Sequence, residues 1–177
     1  MIYPKKSKAI LLRMFKRFVT LCRLADIDYA IDGGTLIAAM RDQKFIPWDS
    51  DVDVIIFSDE QMFHILEGMH QSGFGYDLSR LEFKFAPLVW EDQGCKKPTL
   101  DVCLMVKEDG KYLPKELGLR AGFPEWYYLE ENMFPLRTYM FEGQKVTGPN
   151  KPEPWLNRFY GDWQKPNPEY SYQLKRS

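Results

Sequence analysis

The sequence predicts one domain of the α+β or α/β class over residues 1–177, a mixed β-sheet flanked by helices. Three observations carry that expectation. A strongly amphipathic segment opens the chain. Short runs of β-branched and aromatic residues recur after it. Helical patterns separate the early runs, in the order helix, strand, helix, strand, helix, then strands. Composition agrees, because 177 residues with 45% hydrophobic and 15% aromatic side chains can enclose a full core. A disordered chain would not carry so many rings. Neither an internal repeat nor a linker divides the sequence.

Residues 5–25 place Ile10, Leu11, Met14, Phe15, Phe18, Cys22 and Ala25 on one helical face. Lys5, Lys6, Lys8, Arg13, Lys16, Arg17 and Arg23 supply the other side. A basic face of this kind can make peripheral membrane contact with anionic lipid or touch a phosphorylated ligand, although a solvated face is the plainer reading. Residues 29–31 form a short strand ending at Asp32-Gly33-Gly34, and 35–41 are helical. Residues 52–57, VDVIIF, read as a buried strand. A helix over 59–71 is stopped by Gly73. Strands follow at 83–90 and 100–106, the second after a turn-like stretch at 94–98. Residues 111–132, rich in glycine, proline and rings, read as irregular. A hairpin over 137–146 turns at Glu142-Gly143, and prolines begin a short helix at 152–160. The polar tail after Pro166 is expected to be loose.

Several classes are disfavoured. Net charge is −1, so no overall field points to nucleic acid. No apolar run approaches the roughly 20 residues that span a bilayer. Arg13, Lys16 and Arg17 interrupt the N-terminal apolar stretch, which does not read as a signal peptide, so a cytoplasmic protein is expected. Cys22, Cys95 and Cys103 are odd in number and lack CxxC spacing, which suits reduced, packed thiols. His64 and His70, six apart, fall on different faces of a helix and suit the surface better than a metal.

The chemistry concentrates in IDGGTLIAAMRDQKFIPWDSDVDVIIF, residues 31–57. On a strand, side chains alternate, so Asp51 and Asp53 point the same way, roughly 7 Å apart. Two like charges at the mouth of a buried strand repel each other and lose hydration. A divalent cation between them removes the conflict, and hard oxygen ligands select Mg2+ or Mn2+. Asp101 opens the apolar run LDVCLMV as Asp53 opens DVDVIIF, and is the candidate third carboxylate for metal or for a proton. Gly33-Gly34-Thr35 at a helix start is suited to close approach of a phosphate, and Arg41 and Lys44 could hold phosphate oxygens. Asp49, Asp51, Asp53 and Glu60 also fit four positions of a calcium-binding helix-loop-helix loop. That reading fails because Val54 stands where the loop needs glycine and Pro47-Trp48 stands where a helix should end.

GGTLIAAMR followed by FIPWDSDVDVIIF resembles the LicD family and its relatives, the fukutin-related proteins. A second stretch, FEGQKVTGPNKPEPWLNRFYGDW, is similar to the family's C-terminal pattern, and the two bracket residues 29–170. The resemblance implies a nucleotidyltransferase-like fold. It implies transfer of a phospho-alcohol unit, phosphocholine or a polyol phosphate, from a CDP-linked donor to a glycan or glycolipid hydroxyl, with release of CMP. Carried over by position, Asp51, Asp53 and Asp101 would be catalytic metal ligands for Mg2+ or Mn2+. Gly33, Gly34 and Thr35 would line the donor phosphates. Arg41 falls on a recurrent arginine, and Asp49 belongs to the motif, in the loop or beside the metal's waters. The sequence is short beside the fukutin-related proteins, so their membrane anchor, stem and zinc-binding insertion are not expected in it, which leaves the acceptor open. Two other readings remain: a nucleotidyltransferase releasing pyrophosphate, or a non-catalytic nucleotide- or glycan-binding relative. Tyr29, Trp48, Trp90, Trp126, Trp155 and Trp163 are candidates for base or sugar contact but fit core or rim packing better. Lys84 and Lys145 are possible phosphate contacts that read more simply as solvated.

Overall fold

A computed structural model describes residues 4–60, 62–77, 83–90 and 94–167. The polar tail beyond residue 167 lies outside the described residues. The elements run α1 (Lys5–Leu24), β1 (Tyr29–Ile31), α2 (Gly33–Arg41), β2 (Asp51–Ile56), α3 (Met62–His70), β3 (Phe74–Asp77), β4 (Phe83–Pro87) and β5 (Thr99–Glu108). After them come β6 (Lys111–Pro114), α4 (Leu117–Gly122), β7 (Tyr128–Leu129), α5 (Glu130–Met133), β8 (Arg137–Phe141), β9 (Gln144–Gly148) and α6 (Glu153–Tyr160). The fold is α+β, with a mixed sheet flanked by helices as expected.

Strand β5 organises the sheet. Its first half pairs parallel with β2 on one side and antiparallel with β4 on the other. The sheet order is β1-β2-β5-β4-β3. The second half of β5 leaves this arrangement and pairs with β6, which pairs with β7. A ten-residue strand can serve two neighbours in succession because the twist carries its far end away from the first ones. Val52, Val54, Leu100 and Val102 alternate with the acidic positions and are at most 1% exposed, so they anchor the strands in the core.

Helix α1 buries Leu11, Met14, Phe15, Phe18 and Cys22, the face its periodicity predicts. Part of its basic side is tied into the fold. Lys8 Nζ donates to the Ile46 carbonyl at 2.8 Å, Arg17 Nε donates to the Gly68 carbonyl, and the Arg13 guanidinium lies 5.1 Å from the Phe74 ring centre. Lys5, Lys6, Lys16 and Arg23 face solvent.

Three expectations change. Residues 111–132 are not irregular: they carry β6, α4, β7 and α5, and Tyr128, Leu119 and Met133 from this segment and its end are buried. The strand expected over 83–90 ends at Pro87. Strand β3 was not expected, since only Phe74 of its four residues is buried. The hairpin at Glu142-Gly143 forms as β8–β9, with both turn residues at positive φ, 49° and 74°. His64 and His70 are exposed, Cys22 and Cys103 are buried, and Cys95 is half-buried. No helix among the described residues is long and apolar enough to cross a membrane.

Candidate active site

The acidic residues meet because of register. Asp53 on β2 lies directly opposite Asp101 on β5, and Asp51 lies opposite Thr99. Neighbours in register share a sheet face, so two carboxylates stand side by side although 48 positions separate them in sequence. On the other side of β5, Lys84 of β4 is the register partner of Asp101. Its ammonium is ion-paired with Asp101 Oδ2. Asp101 is 7% exposed, and its other oxygen, Oδ1, is buried with no hydrogen-bond partner among the described residues.

Helix α2 begins against this row. Gly33 has φ +50°, a conformation that favours glycine, and a Cβ there would lie 2.4 Å from Asp53 Oδ2. At Gly34 a Cβ would lie 2.6 Å from Asp49 Oδ2. The two glycines are therefore the space into which two carboxylates fit. The Gly34 N–H donates to Asp53 Oδ2 at 2.9 Å, so a strand carboxylate satisfies the first turn of the helix and sits at its positive end. Thr35 is buried, and its hydroxyl accepts the Asp53 N–H at 2.9 Å, which ties α2 to β2.

Asp32, the residue before α2, does not cap it. Its carboxylate is 2% exposed and accepts from Trp126 Nε1 at 3.0 Å and from the Tyr128 hydroxyl. Burial and the adjacent Asp32 charge push the Tyr128 hydroxyl well above its usual range. At the outer end, Asp49 and Asp51 lie together. Burial, then repulsion from Asp51, pushes the Asp49 carboxyl up to about 8.

Beside Asp53 and Asp101 lies a cavity of about 160 Å³. Asp32, Gly33, Asp53 and Asp101 form its polar side, and Phe123, Trp126, Trp155, Phe159 and Tyr160 an aromatic wall. Of the expected site residues, the structure brings Gly33, Asp53 and Asp101 to the cavity. Asp51 is one pleat further out on the same face of β2. Thr35 is turned into the fold. Arg41 lies at the far end of α2, where its Nε donates to Asp42 at 3.0 Å, and Lys44 is exposed in the following loop. Neither borders the cavity. Among the candidate rings, Trp126 and Trp155 line it, Tyr29 and Trp163 are core residues, and Trp48 and Trp90 are partly exposed elsewhere. Lys145 is exposed on β9, as expected, whereas Lys84 is paired rather than solvated.

Sequence reasoning passed over Asp32, Phe123, Phe159, Tyr160 and the pairing of Lys84. One signal was available: Asp109-Gly110 between LMVKE and KYLP is a hairpin turn, which folds residues 111–129 back toward β5.

The donor set suits a hard divalent cation. Two carboxylates are adjacent, and one buried oxygen lacks a partner among the described residues. Among the described residues, no three acidic, histidine or cysteine side chains gather closely enough to hold an ion alone. A cation here would complete its shell with water or substrate oxygens, as Mg2+ usually does.

A mixed sheet that sets paired carboxylates on adjacent parallel strands, against the glycine-opened start of a helix, is the nucleotidyltransferase-like fold. The solved structure of ANT(2")-Ia in complex with adenylyl-2"-tobramycin shares it, with TM-score 0.53 and 12% identity over 77% of this chain and 67% of that one. Within this fold the chain belongs to the LicD family: residues 26–151 match the family described as LicD/FKTN/FKRP, nucleotidyltransferase domain. It is 32% identical over 142 residues to an uncharacterized protein of Rickettsia prowazekii (strain Madrid E), covering 79% of this chain and 50% of that protein. Over 56 residues it is 41% identical to the lipopolysaccharide cholinephosphotransferase LicD of Haemophilus influenzae, covering 32% of this chain and 21% of that one. The chain thus spans half the length of the Rickettsia protein.

Proposed function

We propose that this chain carries the catalytic site of a Mg2+- or Mn2+-dependent phosphotransferase, which moves a phospho-alcohol unit from a CDP-linked donor to a hydroxyl of a glycan or glycolipid and releases CMP. Membership of the LicD family supports transfer of the phosphocholine type. The observation that carries the reading is the registered pair Asp53 and Asp101 beside the cavity, with the buried Asp101 Oδ1 lacking a hydrogen-bond partner among the described residues.

In this reaction the acceptor hydroxyl oxygen bonds to the phosphorus that bears the alcohol. The bond from that phosphorus to the oxygen bridging it to CMP breaks, and CMP leaves with that oxygen. The hydroxyl proton passes to a carboxylate or to water. A cation held by Asp53 and Asp101, with water or substrate oxygens completing its shell, would neutralise the charge developing on the diphosphate. Phosphoryl transfer depends on positioning and electrostatics, and here the strands supply the positioning. The backbone at Gly33 is the part of α2 assigned to the donor phosphates. The 160 Å³ cavity is below the roughly 300 Å³ of ordinary small-molecule pockets. It suits the reacting end of the donor, with the remainder at its mouth.

The test is a donor panel with Mg2+ or Mn2+: CDP-choline, CDP-ribitol, CDP-glycerol and nucleotide triphosphates, each with and without glycan acceptors. CMP release that requires an acceptor is the expected result. Pyrophosphate release would assign a nucleotidyltransferase instead. Nucleotide binding without turnover on any donor would assign a binding relative.

A further inference from the structure

The sheet sets three charged side chains in one row: Lys84 on β4, Asp101 on β5 and Asp53 on β2, each in register with the next. Lys84 is ion-paired with Asp101, and both side chains are largely buried, at 20% and 8% exposure. With all three ionised, the row would carry two negative charges and one positive. Asp53 Oδ2 is already held by the Gly34 N–H and Asp101 Oδ2 by Lys84, while Asp101 Oδ1 is buried and has no hydrogen-bond partner among the described residues. Without the lysine, the buried Asp101 carboxylate and the half-buried Asp53 carboxylate beside it would repel each other. With it they can stay charged and side by side, but the fixed ammonium opposes a second cation nearby.

Resting on the divalent-cation reading above, we propose that Lys84 is a positioning residue that fills the cation's electrostatic role when no metal is bound. A divalent cation binds the carboxylate row weakly by itself and tightly only when a diphosphate arrives with it. The negative diphosphate oxygens offset the ammonium and give Lys84 a second anion to hold. Binding is thereby ordered, and a cation reaches this site chiefly as a cation–nucleotide complex.

The test measures Mn2+ binding to the full chain by electron paramagnetic resonance, with and without CDP, so it does not depend on turnover. In the native protein CDP should tighten Mn2+ binding by about tenfold or more. In Lys84→Met, Mn2+ alone should bind about tenfold more tightly than to the native protein, and the gain from CDP should shrink. Lys84→Arg, which keeps the charge, should behave as the native chain does. Equal Mn2+ affinity in native protein and Lys84→Met would overturn the proposal. Lys84→Gln replaces Lys84→Met should the latter fail to fold, and failure of both to fold while Lys84→Arg folds would overturn it in favour of a purely structural ion pair. Absence of Mn2+ binding to the native protein, with or without CDP, would remove the cation reading as well. Native binding without turnover on any donor would remove the proposed reaction but leave the role of Lys84 to the Mn2+ data.

Discussion

At the scale of single residues, two glycines and two aspartates form one unit. The contact between Gly33 and Asp53 explains why a glycine stands where a helix would ordinarily prefer another residue. Gly33→Ala should cost at least about 1 kcal/mol for the left-handed backbone alone. The Cβ at 2.4 Å from Asp53 Oδ2 adds to that cost. Urea unfolding of Gly33→Ala, Asp53→Ala and the double variant separates the two effects. The double variant should be less destabilised than the sum of the singles, because removing the carboxylate removes the clash. Strict additivity would show that the carboxylate is not what excludes a side chain there. Asp53→Asn isolates chemistry from folding. The amide oxygen can still accept the Gly34 N–H, so the melting temperature should stay close to native, while Mn2+ affinity and turnover should fall more than about 100-fold. Retained turnover would move the catalytic assignment away from Asp53. The alternation that put Asp51 and Asp53 on one face was legible in the sequence. Lys84 was not, because its partner depends on β4 lying next to β5, and strand order is set by tertiary packing.

At the scale of elements, the β8–β9 hairpin acts on the loop between α2 and β2. The Glu142 N–H donates to the Gln43 carbonyl at 2.9 Å, and the Glu142 carboxylate accepts the Phe45 N–H at 2.7 Å. The Phe141 ring packs edge-on against Phe45 at 4.9 Å. Lys8 of α1 holds the same loop through the Ile46 carbonyl. This loop leads to Asp49 and Asp51, so a distant hairpin fixes where the acidic strand begins. Glu142→Ala should cost about 1–2 kcal/mol and speed exchange of the Phe45 amide, whereas Glu142→Gln, which retains an acceptor, should keep most of the protection. Hydrogen exchange read by NMR checks this; unchanged Phe45 exchange in Glu142→Ala would show that the loop holds itself. The hairpin could be read in advance because Glu142-Gly143 is a turn signal between two short runs that carry β-branched and aromatic residues. The equivalent Asp109-Gly110 turn was obscured by its C-terminal flank. Residues 111–133 change from strand to helix every few positions, too fast for either period to register, and the buried Tyr128 ring packs against Trp155 of α6.

At the scale of the whole molecule, the matched family region, residues 26–151, leaves out both α1 and α6. Neither is an accessory. One continuous core includes Leu11, Met14, Phe15 and Phe18 from α1 and Trp155 and Leu156 from α6, all at most 2% exposed. The same core holds Cys22, whose thiol burial pushes up to about 12. A thiol reagent at pH 8 should therefore label Cys95 in the folded chain and reach Cys22 and Cys103 only on unfolding; rapid native labelling of Cys22 would place α1 off the core. The consequence for the site is direct. Trp155, Phe159 and Tyr160 line the cavity, and Arg158 holds the segment that carries Trp126 by donating to the Tyr127 carbonyl and lying 3.9 Å from the Tyr127 ring centre. Each fully buried large apolar side chain contributes about 1.5–3 kcal/mol. The six from the two helices therefore match the whole stability of an ordinary domain, about 5–15 kcal/mol. A chain cut to residues 26–151 should not fold: its proton–nitrogen NMR spectrum should collapse to the narrow amide range of an unfolded chain, and its thermal melt should lose cooperativity. A dispersed spectrum and a sharp melt from that fragment would mean that the carboxylate row, the glycine turn and the sheet hold together without their flanking helices.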